Sequence, residues 1–193
     1  MLIIVSGFAG SGKSSLADSL GKSLTLEVIH ASALLKEMWL SGSKDLEHNS
    51  VKKVNDWWES EEAKKIMANR KTDHSYDLAL DEKLKKIAEK GNIILDSWTM
   101  PYLYKEKAFR VWLSASAEVR AKRVSKRDNL EYEKVLAKIK ERDSQTKSLY
   151  ETLYNFSMGD NLEVFDLVID TDNVSQEKVF KKVSDKIKGV CVE

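Results

Sequence analysis

The chain has very few residues that could staple it together. Cys191 is the only cysteine among 193 residues. An internal disulfide and a cysteine metal cluster are therefore excluded, and the usage fits a reducing cytosol. Cys191 itself reads as a small apolar residue near the C-terminal end. His30, His48 and His74 are scattered, show no metal-ligand spacing, and read as structural or surface residues. Pro101 is the single proline, and no Pro-, Gly- or Ser-rich linker divides the sequence, which suits one compact domain. No apolar run approaches the roughly 20 residues of a membrane span. The apolar stretch over 1–6 is too short for a signal peptide, so the expected location is cytoplasmic. Charge of one sign is also lacking. With 33% charged residues the net charge is only +1, so any basic site must be local. There is no internal repeat and no low-complexity segment.

What is present is an alternation of short apolar runs with helical patterns. Leu2-Ile3-Ile4-Val5 is a continuous apolar run rich in β-branched residues, as expected of a strand buried on both faces. Similar runs at 26–29, 92–96, 109–113 and 165–170 predict further strands. Helices are predicted after the first glycines, with Leu16, Ala17 and Leu20 inward, and at 32–40, 77–90, 118–127 and 175–187. The 77–90 helix reads as amphipathic, with Leu78, Leu80, Leu84 and Ile87 apolar, and as stopped by Gly91. The stretch 130–156 reads as a long helix with a break near Asp143. The segment 41–75 is polar, charge-rich and helical in pattern, and contains Trp57 and Trp58. It reads as an inserted helical lobe. Strands alternating with helices indicate an α/β fold with a parallel sheet.

Between the first strand and the first helix lies Gly7-Phe8-Ala9-Gly10-Ser11-Gly12-Lys13-Ser14, the G-x-x-x-x-G-K-[ST] pattern of a P-loop. Glycines at 7, 10 and 12 permit backbone conformations closed to other residues, so the loop N–H groups can converge on phosphate oxygens at a helix N-terminus. The candidate ATP-binding residues are Gly7, Phe8, Ala9, Gly10, Ser11, Gly12, Lys13, Ser14 and Ser15. Lys13 would reach the β- and γ-phosphates, and the Ser14 hydroxyl would ligate Mg²⁺. Asp96 ends an apolar strand, where it could hold a Mg²⁺-bound water or orient an acceptor hydroxyl; a helix cap or turn is the plain alternative.

Arg120, Arg123 and Arg127 recur at helical spacing, and Arg142 lies on the next helix. Guanidinium forks on two helices closing over a nucleotide make a phosphate clamp, and Arg123, Arg127 and Arg142 are the candidates for it. A solvated charged face is the competing reading, and for Arg120 the two are evenly balanced. Trp98 stands just past a predicted strand end, where α/β ligands bind, and is a candidate acceptor contact with Lys36.

These motifs resemble those of the nucleoside monophosphate kinases, most closely the archaeal-type cytidylate kinases. Besides the P-loop, the resemblance is carried by Ala88-Glu89-Lys90-Gly91-Asn92 leading to Asp96, and by Ser116-Ala117-Glu118-Val119-Arg120-Ala121-Lys122-Arg123. Ile139-Lys140-Glu141-Arg142-Asp143 and Phe165-Asp166-Leu167-Val168-Ile169-Asp170-Thr171 also carry it. It covers most of the chain and is weak across 41–75. It implies a P-loop NTPase three-layer fold, with a five-stranded parallel sheet, a lid at about 123–150 and an acceptor-binding lobe. It also implies ATP and Mg²⁺, and a nucleotide acceptor, CMP or dCMP. Arg123 and Arg127 match the family's first lid arginines, and Arg142 the arginine on the lid's returning arm.

The acceptor positions depart from the pattern. Where cytidylate kinases carry a serine and an arginine after the second strand, this chain has Ala31 and Lys36. A Gly-Arg pair is replaced by Ser97-Trp98, and an aspartate and an arginine by Thr146 and Leu149. Losing a bidentate arginine removes both a charge and a fork of donors. The donor half therefore reads as intact and the acceptor half as rebuilt. A kinase for another small acceptor stays open, as does a nucleotide-binding ATPase or assembly factor. No guanine-reading Asn/Thr-Lys-x-Asp motif is present, and the near-zero net charge disfavours an RNA substrate.

Overall fold

The computed structural model describes residues 1–45, 65–66, 68–70 and 72–190. Trp57, Trp58, His48, Cys191 and most of the predicted insert lie outside them. The strands are β1 (Leu2–Ser6), β2 (Glu27–His30), β3 (Ile93–Asp96), β4 (Phe109–Ser114) and β5 (Leu167–Asp170). The helices are α1 (Lys13–Leu24), α2 (Ala31–Ser41), α3 (Ser75–Glu89), α4 (Met100–Leu103), α5 (Ala117–Asp128), α6 (Tyr132–Tyr154) and α7 (Gln176–Val190). The five strands form one parallel sheet in the order β2-β3-β1-β4-β5.

The period-two geometry of a strand explains why β1 is apolar at every step. Ile3 and Val5 face a core shared with Leu16 and Leu20 of α1 and Val179, Val183 and Ile187 of α7. Leu2 and Ile4 face the opposite core, built with Leu34, Leu35 and Met38 of α2 and Leu80 and Leu84 of α3. Helices on both faces of a parallel sheet give the three layers.

Leu78, one of the apolar residues of the predicted 77–90 helix, is 45% exposed, because α3 spends its inward stripe on Asp77, Leu80, Asp81, Leu84 and Ile87. One expectation is corrected. The break near Asp143 does not occur. α6 runs unbroken over 23 residues, because Asp143 turns its carboxylate sideways onto Arg120 rather than back onto its own helix. The α4 turn was not anticipated; Pro101 sits in its first turn, where a missing N–H costs nothing.

The topology places the site. β1 lies between β3 and β4, and Val5 pairs in register with Asp96, which in turn pairs with His30. The C-terminal ends of β1, β2 and β3 thus open side by side, and chain leaving these ends is free to surround a ligand.

Candidate active site

The P-loop leaves β1 at Gly7, whose φ of +147° and tight seating both require glycine. A Cβ there would lie 2.5 Å from the Leu113 carbonyl oxygen. The loop ends at Gly12, the N-cap of α1, with φ of 98°, no side-chain capping bond and no acidic residue in the first helical turn. The N–H groups of that turn are left for an anion, with the helix dipole behind them. Phe8 turns away from the loop and packs edge-on against Trp112 at 5.6 Å.

Asp96 is the electrostatic centre of the donor half. Its carboxylate is 3% exposed, accepts from Ser14 Oγ at 2.6 Å, and lies 3.6 Å from Lys13 Nζ. His30 Nδ1 stands 2.8 Å from the same carboxylate, and His30 Nε2 stands 2.9 Å from Asp18. Burial opposes the charge on Asp96, but Lys13, His30 and the Ser14 hydroxyl outweigh it and hold the carboxyl down at about 2. A carboxylate so acidic is a poor proton acceptor at neutral pH and a good fixed anion.

This donor set fits the expected ligands. Ser14 Oγ and the Asp96 carboxylate supply adjacent hard oxygens for Mg²⁺, and the uncapped α1 terminus with Lys13 supplies donors for phosphates. Among the described residues no three-ligand cluster of His, Cys, Asp or Glu is present.

The same cavity, about 760 Å³ in volume, continues away from the P-loop into a second group of polar side chains. Arg70 forms a bidentate pair with Asp77, its Nε at 3.1 Å from both carboxylate oxygens and its Nη2 at 2.5 Å from Oδ1. One turn along α3, Asp81 accepts from Thr99 Oγ1 at 2.5 Å and from the Tyr154 hydroxyl. Burial raises the Asp81 carboxyl to about 6, and the two hydroxyl donors only partly counter it. Arg142 of α6 opens onto this space and lies 5.5 Å from the Trp98 ring centroid. Desolvation, then the nearby Arg70, lowers it to about 10, so it remains a cation at neutral pH.

Of the predicted residues, Ala9, Gly10, Gly12, Lys13, Ser14 and Ser15 line the cavity from the loop and α1. Asp96, Trp98 and Lys36 line it too, as do Arg123, Arg127 and Arg142. Gly7, Phe8 and Ser11 lie behind them and shape the loop. The arginines are not equivalent. Arg123 donates to the Ser11 and Thr171 carbonyls and to Thr171 Oγ1, so it braces the loop against the end of β5. Arg127 is mostly exposed and pairs with Asp128 at 2.5 Å. Arg120 is buried, pairs with Asp143 and donates to the Ala9 and Ala115 carbonyls, which makes it a tie between α5, α6 and the P-loop. Trp98 donates its Nε1–H to the Gly7 carbonyl at 2.9 Å.

Sequence reasoning missed Arg70, Asp77, Asp81 and His30. A signal existed for two of them: Asp77 and Asp81 stand four apart on the apolar stripe of α3, where unpaired carboxylates are costly.

Comparison with known proteins supplies the family. Residues 2–173 match the model of the "Cytidylate kinase-like family". A "Cytidylate kinase" of Sulfurisphaera tokodaii is 32% identical over 185 residues, covering 94% of this chain and 92% of that protein. Another, of Methanocaldococcus jannaschii, is 29% identical over 191 residues and covers 97% of each. Among solved structures, an uncharacterized protein from Eubacterium ventriosum aligns with a TM-score of 0.68 at 15% identity, covering 97% of this chain and 98% of that one. A shikimate kinase from Acinetobacter baumannii in complex with shikimate aligns at 0.59 and 16% identity, covering 100% and 95%. These structures share the fold.

Proposed function

Because the chain belongs to the cytidylate kinase-like family of ATP-dependent kinases, we propose that it transfers the γ-phosphate of ATP to a nucleoside monophosphate, with CMP or dCMP as the leading acceptor. One observation carries the choice of a phosphate acceptor over an alcohol. The cavity beyond the P-loop holds two buried guanidiniums, Arg70 and Arg142, close enough for one to depress the pKa of the other. A dianionic phosphate relieves that repulsion and matches the planar guanidinium of Arg142, while Asp77 already takes the fork of Arg70. An alcohol acceptor would call for a base, and Asp96, held at about 2, is ill-suited to be one. A nucleoside monophosphate needs none.

In this reading ATP and Mg²⁺, when bound, supply the transferable group and neutralise its charge. The chain's own residues do the rest. The loop N–H groups and Lys13 hold the donor phosphates, and Asp96 fixes Lys13 and Ser14 in place. Arg142 faces the developing charge from the lid side, and Arg70 anchors the acceptor phosphate while Asp77 holds its plane. The acceptor contacts once expected from the family's positions pass to Arg70, Asp77, Asp81, Lys36 and Trp98. The test is ADP release against a panel of nucleoside monophosphates and small alcohols. CMP or dCMP is expected to stimulate release well above the acceptor-free background. Stimulation by neither, or by an alcohol alone, overturns the reading.

A further inference from the structure

Trp98 touches neither a hydrophobic core alone nor open solvent; it is the point where three parts of the site meet. It follows the end of β3, and its Nε1–H donates to the Gly7 carbonyl at 2.9 Å, which pins the indole to the entrance of the P-loop. Its ring centroid lies 5.8 Å from Lys13 Nζ and 5.5 Å from Arg142 Cζ. Tyr150 meets the ring edge-on, at 6.4 Å and 73°. An indole is the best neutral partner for a cation, and both distances fall inside the range of about 6 Å in which that attraction operates.

From this geometry we infer that Trp98 is a positioning residue, a neutral platform that gathers Lys13 of the P-loop and Arg142 of the lid toward one spot before phosphoryl transfer. Its single hydrogen-bond donor is spent on Gly7 and its ring on two cations, so reading a nucleobase is not its main task. Two like charges drawn together disfavour each other, and the negative face of the ring offsets part of that cost without adding a carboxylate. Lys13 already has the Asp96 carboxylate at 3.6 Å, and a second carboxylate at the place of the ring would hold both cations more firmly still. A cation–π contact gives a preference of only about two- to thirtyfold, which a phosphate oxygen can outbid when ATP arrives. The weakness is functional: the ring adds placement without the grip of another carboxylate. This inference rests on the kinase reading for its catalytic consequence and on geometry alone for the contacts.

The test replaces Trp98 site-specifically with mono-, di- and tetrafluorotryptophan in the full chain. Fluorine withdraws electron density from the ring and weakens its hold on cations stepwise, while size and the N–H donor are nearly unchanged. The expected result is a stepwise fall in kcat, about tenfold across the series, with KM for ATP moving less than about threefold. A flat kcat in an enzyme with active wild type overturns the inference and leaves the kinase reading intact. A second readout needs no acceptor. In the ligand-free protein the side-chain NMR signals of Arg142 and Lys13 are expected to be shifted by the ring current of Trp98. They are expected to return toward ordinary values in Trp98→Leu, and signals that do not move overturn the inference. Should the wild type phosphorylate no nucleoside monophosphate, the acceptor reading fails while the NMR result still decides the role of Trp98. Trp98→Phe separates the two contacts, since it keeps a ring and loses the bond to Gly7.

Discussion

Replacing Asp81 with asparagine isolates a costly buried charge in the cavity beyond the P-loop. In the folded protein the Asp81 carboxyl titrates at about 6 against an ordinary 3.8. The largest cause is burial, with Asp77 adding repulsion; Thr99, Tyr154 and Lys85 act in the opposite direction. Between those two pH values the native state keeps a proton that the unfolded chain has lost. The sign follows. This group's contribution to stability is fully present below about pH 4 and is lost as pH rises through about 6. The separation of the two values corresponds to roughly 3 kcal/mol. Asp96 behaves oppositely, since its carboxyl is held at about 2; its contribution is lost only as pH falls below about 4, outside the Asp81 window. At neutral pH, Asp81→Asn removes the desolvated charge, about 3 kcal/mol, and weakens hydrogen bonds from Thr99 and Tyr154 worth about 1–2 kcal/mol. The variant is therefore expected to be about 1–2 kcal/mol more stable than wild type near pH 7 and less stable near pH 4. Urea unfolding of both proteins across that range measures it, with equal m-values as the check that only stability changed. Parallel stability curves for the two proteins would refute the reasoning. A stabilised Asp81→Asn protein with a raised KM for the acceptor would show that the carboxylate is kept for binding, against its cost to the fold.

Lys13→Ala is expected to lower turnover by at least about 10²–10³-fold, because on the proposed mechanism the lysine would meet the donor phosphates while it balances Asp96. Near-normal ADP release from that variant would contradict the donor-site assignment. Arg142→Ala is expected to lower kcat while changing ATP affinity far less; steady-state kinetics with an unchanged kcat removes it from the clamp. Arg120→Ala acts through the fold instead. It strands the Asp143 carboxylate and the Ala9 carbonyl, and is expected to cost about 3 kcal/mol in urea unfolding. A transition midpoint equal to wild type would show that the α5–α6 tie carries little.

The P-loop was readable from sequence because its pattern resides in contiguous backbone. Gly7 to Ser14 must adopt one conformation between one strand and one helix, and that demand is written into eight successive residues. The sheet was readable for a similar reason. Strands buried on both faces leave unbroken apolar runs, so each predicted strand overlaps an observed one, with ends shifted by a residue or two. The polar cluster beyond the P-loop is different in kind. Arg70 precedes α3, Asp77 and Asp81 lie within it, Thr99 follows β3, and Tyr150 and Tyr154 come from the far end of α6. Only the packing of α6 across the mouth of the sheet brings them together, and no local spacing encodes that. The arginines show the same division. Four residues share one chemistry on two helices, and burial and partners give each a separate place. Arg120 ties helices, Arg123 braces the loop, Arg127 meets solvent, and Arg142 faces the cavity. Trp98 stands where the resemblance implies an arginine after β3, and its ring lies near cations from both α1 and α6. A positive centre built from gathered side chains can shift with a helix in a way that a cation fixed to the sheet cannot. On the role inferred for Trp98, a tryptophan at this place would therefore bear on when charge reaches the transferring phosphate as well as on which acceptor is bound.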